Sequence, residues 1–238
     1  MNVQLQEVLQ SARVGSCGLI ETSIDANGKE LFRTMLSELD GHYARIDEVF
    51  QGLEFKTAAP VTYKQTRKWQ EGVLYLDSAD RMEFPYGFEQ TANAISVVMM
   101  SGQDEDMENV QIQDVKDTLT VKYHAKYQFK PDKYVHVDLY GAAKRYREKD
   151  RIVFVSRCFV EGRGEIEGFN SNETLWMVIR PSEPGTCGFT VVECCLVPMG
   201  FGGCDEDMDK FLTFLVKSGE EESKQMVEMM EKLLISQP

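Results

Sequence analysis

The side chains able to do chemistry are few and scattered. Histidines stand at 42, 124 and 136, and none is four residues from another potential ligand on one helix face, the spacing that aims two side chains at one metal ion. His124 and His136 lie in separate strand-like segments and could meet across a hairpin, with no third ligand indicated. Asp205, Asp207 and Asp209 have the alternate spacing of a calcium loop. Such a loop needs Gly at its sixth position and Glu at its twelfth, where this chain has Lys210 and Val216. These acids suit instead the positive end of a helix. No metal is expected.

Nucleophilic chemistry finds no better footing. Neither Gly-x-Ser-x-Gly nor a local cysteine signature occurs. Cys158 follows Arg157, but successive strand residues point to opposite faces, so the charge does not activate the thiol. Gly162-x-Gly164 is not followed by a helix and makes no phosphate cradle. The expectation is a protein that is not an enzyme and carries no cofactor.

Charge excludes further classes. With 26 basic against 39 acidic residues the net charge is −13, a field that repels nucleic-acid backbones and anionic lipid surfaces. The aromatic and basic stretch Lys122–Lys133 lacks the Gly-Phe signature of a nucleic-acid-binding sheet. No nucleic-acid partner is expected. Met1–Ser11 has neither the basic start nor the apolar run of a secretory signal, and no stretch of about 18 apolar residues could span a membrane. The six cysteines, at 17, 158, 187, 194, 195 and 204, then read as reduced thiols of a cytoplasmic protein. At 42% hydrophobic and 27% charged, the chain has the make-up of a folded soluble protein.

The elements that must position these residues change period along the chain. From Glu30 to Phe50 the apolar positions Leu31, Met35, Leu39, Tyr43, Ile46 and Val49 recur at helical steps, with Asp40-Gly41 as a candidate interruption. Val61–Leu76 reads as extended, Asp77–Arg81 as a polar turn, and Phe88–Met99 as a helix ending in an acidic loop. Leu119, Val121, Tyr123, Ala125, Tyr127 and Phe129 then alternate with polar residues, as in a strand with one buried face. Tyr134–Tyr146, Arg151–Val160, Glu173–Arg180 and Cys187–Val197 continue an antiparallel meander, interrupted by a long Glu161–Asn170 loop and broken at Gly200–Gly203. A last helix follows Asp205–Asp207. Its stripe includes Phe211, Leu215, Met226 and Met229, and keeps phase across a polar centre at Lys217–Gln225.

Helices, then an antiparallel sheet, then one long helix make an α+β chain in which a curved sheet wraps around its last helix. Such a sheet and a single helix cannot fill all the space between them, which favours an apolar tunnel. Further residues carry a resemblance. Asp80-Arg81-Met82-Glu83-Phe84-Pro85 before a helix, Lys144–Val153 as strand, turn and strand, Glu173–Pro181, and Val191–Gly200 with Val197-Pro198-Met199 resemble the START family of StAR-related lipid-transfer domains. More narrowly, they are similar to the START-like proteins expanded in oomycetes. The resemblance covers about 160 residues, from about Arg81 onward. It implies the helix-grip fold of the Bet v 1-like superfamily and a hydrophobic ligand, a lipid or sterol, held between the sheet and the C-terminal helix. That helix or the Glu161–Asn170 loop would act as gate.

On this reading residues 1–59 form a helical extension and 60–238 the START-like domain. Tyr123, Tyr127, Leu139, Trp176 and Met177 are the expected pocket lining, with Phe211, Leu215 and Met226 from the terminal helix. Arg145, Glu173 or Glu193 would orient a polar headgroup, against the alternative of solvated outward positions. Membrane contact would be transient and not integral. Two rivals stand beside the carrier. One is a protein-interaction module with a filled core. The other is a cyclase-like enzyme using Glu193 with Tyr123 or Tyr127.

Overall fold

The alternation that begins at Leu119 forms a long strand in which Leu119, Tyr123 and Ala125 find apolar residues across the hairpin. In the computed structural model, which describes residues 28–51, 66–70, 73–100, 107–109, 117–130, 133–182, 190–202, 213–217, 219–221, 224, 227–229 and 232, this is β4. Numbered in chain order, the strands are β1 (Thr66–Gln70), β2 (Val73–Phe84), β3 (Met107–Asn109), β4 (Thr118–Lys130), β5 (Lys133–Arg147), β6 (Ile152–Arg163), β7 (Asn170–Pro181) and β8 (Thr190–Gly202). Tyr123 stands opposite Leu139, and Ala125 opposite Val137. All pairs are antiparallel, and the eight strands run in the order β1-β2-β8-β7-β6-β5-β4-β3. The β5–β6 turn is closed by Glu148 N–H donating to Arg151 O at 2.9 Å.

Side-chain parity gives this sheet two different faces. On the outer face lie Tyr140 and Ala142 of β5, Val153, Val155 and Phe159 of β6, and Trp176 and Val178 of β7. Helix α1 (Lys29–Ala44) and the short α2 (Ile46–Phe50) cover them with Leu31, Phe32, Met35, Leu39, Ile46 and Val49. Burying each such large side chain stabilises the fold by about 1.5–3 kcal/mol. Gly28 precedes α1 at φ 66°, and a Cβ there would sit 2.8 Å from the Tyr140 ring, so the helix starts against the sheet only with glycine at this position.

The inner face is covered from two ends. At one end, Met82 and Phe84 of β2, Ile152, Phe154, Met177, Ile179 and Val192 pack with Ala92 and Ile95 of α3 (Phe88–Met100), and Val227 joins them. At the other, Val135, Val137 and Val160 pack with Ile166 and Phe169, and with Phe214 and Leu215 of the C-terminal helix. That helix is helical at 213–217, 219–221, 224 and 227–229. Leu215 packs in one inner cluster and Val227 against the other, so the sheet grips its last helical segment, the helix-grip arrangement. Among the described residues no helix is long and apolar enough to cross a membrane.

Several expectations are corrected. Helix α1 runs through Asp40-Gly41 and breaks at Arg45 (φ −100°, ψ 5°), whose N–H turns back to His42 O at 3.2 Å. The expected turn at Asp77–Arg81 is strand, because β8 supplies its backbone partners from Ser78↔Leu196 to Phe84↔Thr190. The motif Asp80–Phe84 is thus the end of β2. Strand β3 arises in the supposed acidic loop. β8 runs on through Gly200 to Gly202. Much of the Glu161–Asn170 loop is structured: β6 extends to Arg163, a 3-10 turn (Gly164–Ile166) follows, and Ile166 and Phe169 are buried in the core.

Candidate functional site

Between the two packed ends of the inner face lies a band of mostly half-buried positions, of which Leu139 and Cys158 pack against the end built around Val137 and Val160. Strand register builds it in rows. Val121, Gly141, Cys158, Glu173 and Pro198 stand opposite one another across β4 to β8. Leu119, Ala143, Ser156, Leu175 and Leu196 form the row on one side; Tyr123, Leu139, Val160 and Ser171 form the row on the other. In these rows Leu119, Val121, Tyr123, Leu139, Gly141, Ser156, Cys158, Glu173 and Leu175 are half-buried and Ala143, Val160 and Ser171 are buried, as are Phe154, Met177, Ile179 and Val137 beyond the band. Apolar side chains in the middle of a sheet lose their solvent exposure when something packs on them. In the terminal helix Lys217, Glu220, Glu221 and Lys224 are exposed.

Two details shape the band. Gly141 removes a side chain from its centre, and a Cβ there would lie 3.2 Å from Val121 Cγ2, so Val121 leans over the glycine. Glu173 brings a carboxylate into the band, and fully buried Ser171 donates to its Oε1 at 3.1 Å. The thiol-bearing Cys158 stands directly opposite Glu173. The site can therefore offer apolar surface with the Glu173 carboxylate among its hydrogen-bonding acceptors.

The residues named from sequence are divided among different places. Tyr123 and Leu139 lie in the band. Met177 is buried under α3, in the filled end, and Leu215 in the other filled end. Trp176 is next to Met177 and so falls on the opposite face: it packs with Leu39, Ile46 and Val49, and its Nε1 donates to His42 O at 3.1 Å. It is a core residue of the outer face. Arg145 is held at the strand end by Asp117, whose Oδ1 accepts from its Nε at 2.8 Å. Tyr127 and Glu193 occupy β4 opposite Val135 and β8 opposite Val178, with side chains outside the described ones. Phe211 and Met226 lie outside the described residues. Val121, Gly141, Ser156, Cys158 and Leu175 were missed, and a glycine at the centre of an otherwise alternating strand was the available signal.

Charges concentrate on the outer face. Arg157, 2% exposed, donates from Nε to Glu38 Oε2 at 3.0 Å and from Nη1 to Thr174 Oγ1 at 2.6 Å. Burial pulls the pKa of its guanidinium below the ordinary value, with Glu38 opposing that shift. Nearby His42 is pushed down to about 4 by burial and by the charges of Arg157 and Arg45. Lys144 and Tyr146 both donate to Asp40 Oδ1, at 2.6 and 2.7 Å, and Arg151 bridges Asp47 and Glu148. These links fasten α1 and α2 to the sheet and leave the inner band to apolar chemistry.

No known family model and no curated protein matches the chain. Solved structures do resemble it. Human STARD10 is 11% identical with a TM-score of 0.46, over 81% of this chain and 80% of that one. Ara h 8.0201 is 10% identical with a TM-score of 0.40, over 68% and 99%. TTHA0849 from Thermus thermophilus is 13% identical with a TM-score of 0.40, over 67% and 97%. A likeness at this level carries nothing about ligand or activity.

Proposed function

We propose that this protein is a non-enzymatic binder or carrier of a hydrophobic small molecule of the lipid or sterol class, seated on the half-buried inner band. The observation that supports the reading is the run of half-buried positions on the inner face, Leu119, Val121, Gly141, Ser156 and Leu175 among them, between two packed ends. A ligand covering the band would gain about 2.5 kcal/mol for each 100 Å2 of apolar surface removed from water. Glu173, steadied by Ser171, would accept a hydrogen bond from a ligand hydroxyl or amine, fixing which end enters first. The C-terminal helix, anchored at Leu215 and near Val227, would open between these anchors. The gate assigned to the Glu161–Asn170 loop is less suited, since Ile166 and Phe169 tie it into the core.

The same proposal includes the cytoplasm as the place of action, transient membrane contact during exchange, and membership in the START-like group expanded in oomycetes. A cyclase-like enzyme using Glu193 with Tyr123 or Tyr127 is the rival reading, and a Glu193→Gln variant that keeps binding and abolishes a reaction would favour it. The test is Cys158→Phe, which puts a ring in the central row. Binding of a fluorescent fatty acid or sterol should weaken at least tenfold with the melting transition retained. Unchanged affinity in a folded variant would move the ligand off this face.

A further inference from the structure

Two of the three histidines meet on the outer face, away from the inner band. β4 and β5 place His124 directly opposite Asp138 and His136 one diagonal step along. His124 Nε2 and His136 Nδ1 are 3.2 Å apart, with ring planes at 22°. On its other side, His124 Nδ1 lies 2.8 Å from Asp138 Oδ1. Asp138 is itself held, since Arg163 Nε donates to its Oδ2 at 2.9 Å.

We propose that His124 Nε2 and His136 Nδ1 form a cross-strand site for a divalent first-row transition metal ion that imidazole favours, such as nickel, copper or zinc. Two nitrogens bound at about 2.0–2.1 Å stand about 2.9 Å apart on a square or octahedral ion and about 3.3 Å apart on a tetrahedral one, so the strands already hold this pair close to chelating separation. Asp138 selects the tautomer. By accepting from Nδ1–H it leaves the Nε2 lone pair of His124 turned toward its partner, the carboxylate–histidine arrangement that supports metal-bound imidazoles. Without metal, His136 Nδ1–H donates to that lone pair. With metal, the His136 proton resides on Nε2 and both lone pairs meet the ion, so the exchange of tautomer releases no proton.

The surroundings fit a site with water completing the coordination. The His124 side chain is 56% exposed. Asp138 and Glu161 bring negative charge, offset by Arg163, which pairs with both, and by Lys126, whose ammonium lies over the Tyr134 ring at 4.0 Å. Affinity then rests on the two nitrogens, a preference that excludes magnesium and calcium, which seek oxygen. Among the described residues no group of three ligands occurs, so this is an open, two-residue chelate.

The experiment is calorimetric titration of the full chain with Ni2+, chosen because zinc is drawn more strongly to cysteine thiolates. One Ni2+ should bind per chain. His124→Ala and His136→Ala should each weaken it at least tenfold, and Asp138→Asn by roughly tenfold with both ligands kept. His136→Gln gives the same readout with less change of shape. Ni2+ should also raise the urea midpoint of the wild type, and of neither alanine variant, because binding joins β4 to β5. No Ni2+ binding by the wild type, or undiminished affinity in either histidine variant, overturns the assignment.

Discussion

Arg157 and Glu38 join the first helix to the sheet across 119 residues of sequence, with Arg157 Nε 3.0 Å from Glu38 Oε2 and the guanidinium buried beneath α1. A buried charge is tolerated only while its partner remains. Glu38→Leu strands the cation and should cost roughly 3 kcal/mol, the low end for breaking such a pair, since Glu38 keeps some contact with water. The double replacement Arg157→Met with Glu38→Leu should recover most of that loss. Urea unfolding of the three variants checks both statements, and equal stability of single and double variants would contradict them.

His42 sets a pH limb of its own. Its pKa is lowered in the folded chain from 6.5 to about 4, by burial first and then by Arg157 and Arg45. Well above pH 6.5 the folded and unfolded forms are both neutral and the residue contributes nothing to the pH dependence. Below it, the unfolded chain takes up a proton that the folded one refuses, so stability falls as pH drops from about 6.5 to about 4, by roughly 3 kcal/mol in all. Asp40, Asp47 and Glu148, held below their ordinary range by hydrogen bonds from Lys144 and Arg151, lose their contribution only below about pH 4.5. Urea midpoints at pH 7 and 5 should therefore differ in the wild type and much less in His42→Phe.

What could be read in advance was periodicity. The alternation from Leu119 to Phe129 marked β4, and the helical steps from Leu31 to Val49 marked α1 and α2. Parity between strands could not be read, because it is fixed by pairing across the sheet. Trp176 and Met177 are adjacent and equally apolar, yet one packs under α1 and the other under α3. Ser78-Ala79-Asp80 looks like a turn until β8, far along the chain, supplies its hydrogen bonds. The meeting of His124 and His136 was open from their places in a hairpin, whereas Asp138 as third member needed the register.

Trp176 and Cys158 separate the two faces experimentally. Trp176→Phe removes the bond to His42 O and should cost about 1–2 kcal/mol while leaving lipid binding within twofold. Chemical denaturation and fluorescent-lipid titration of this variant, beside Cys158→Phe, read the contrast. A Trp176→Phe loss of binding tenfold or more would place the ligand on the wrong face for this account.

Leu215 anchors one end of the terminal helix among Val135, Val137 and Phe169. Leu215→Ala should cost about 2–4 kcal/mol through the cavity it leaves. If that end limits exit, stopped-flow release of a fluorescent lipid should also quicken several-fold. Loss of stability with an unaltered release rate would assign the exit elsewhere.

The central claim is that the half-buried band holds a hydrophobic molecule. Native mass spectrometry of the purified chain, followed by organic extraction and identification of what is released on unfolding, tests it most directly. The account predicts an added mass that matches an extracted lipid or sterol and that is absent from Cys158→Phe. A bare chain mass that stays unchanged after incubation with mixed sterols, fatty acids and phospholipids would contradict it, and would turn attention to a protein partner.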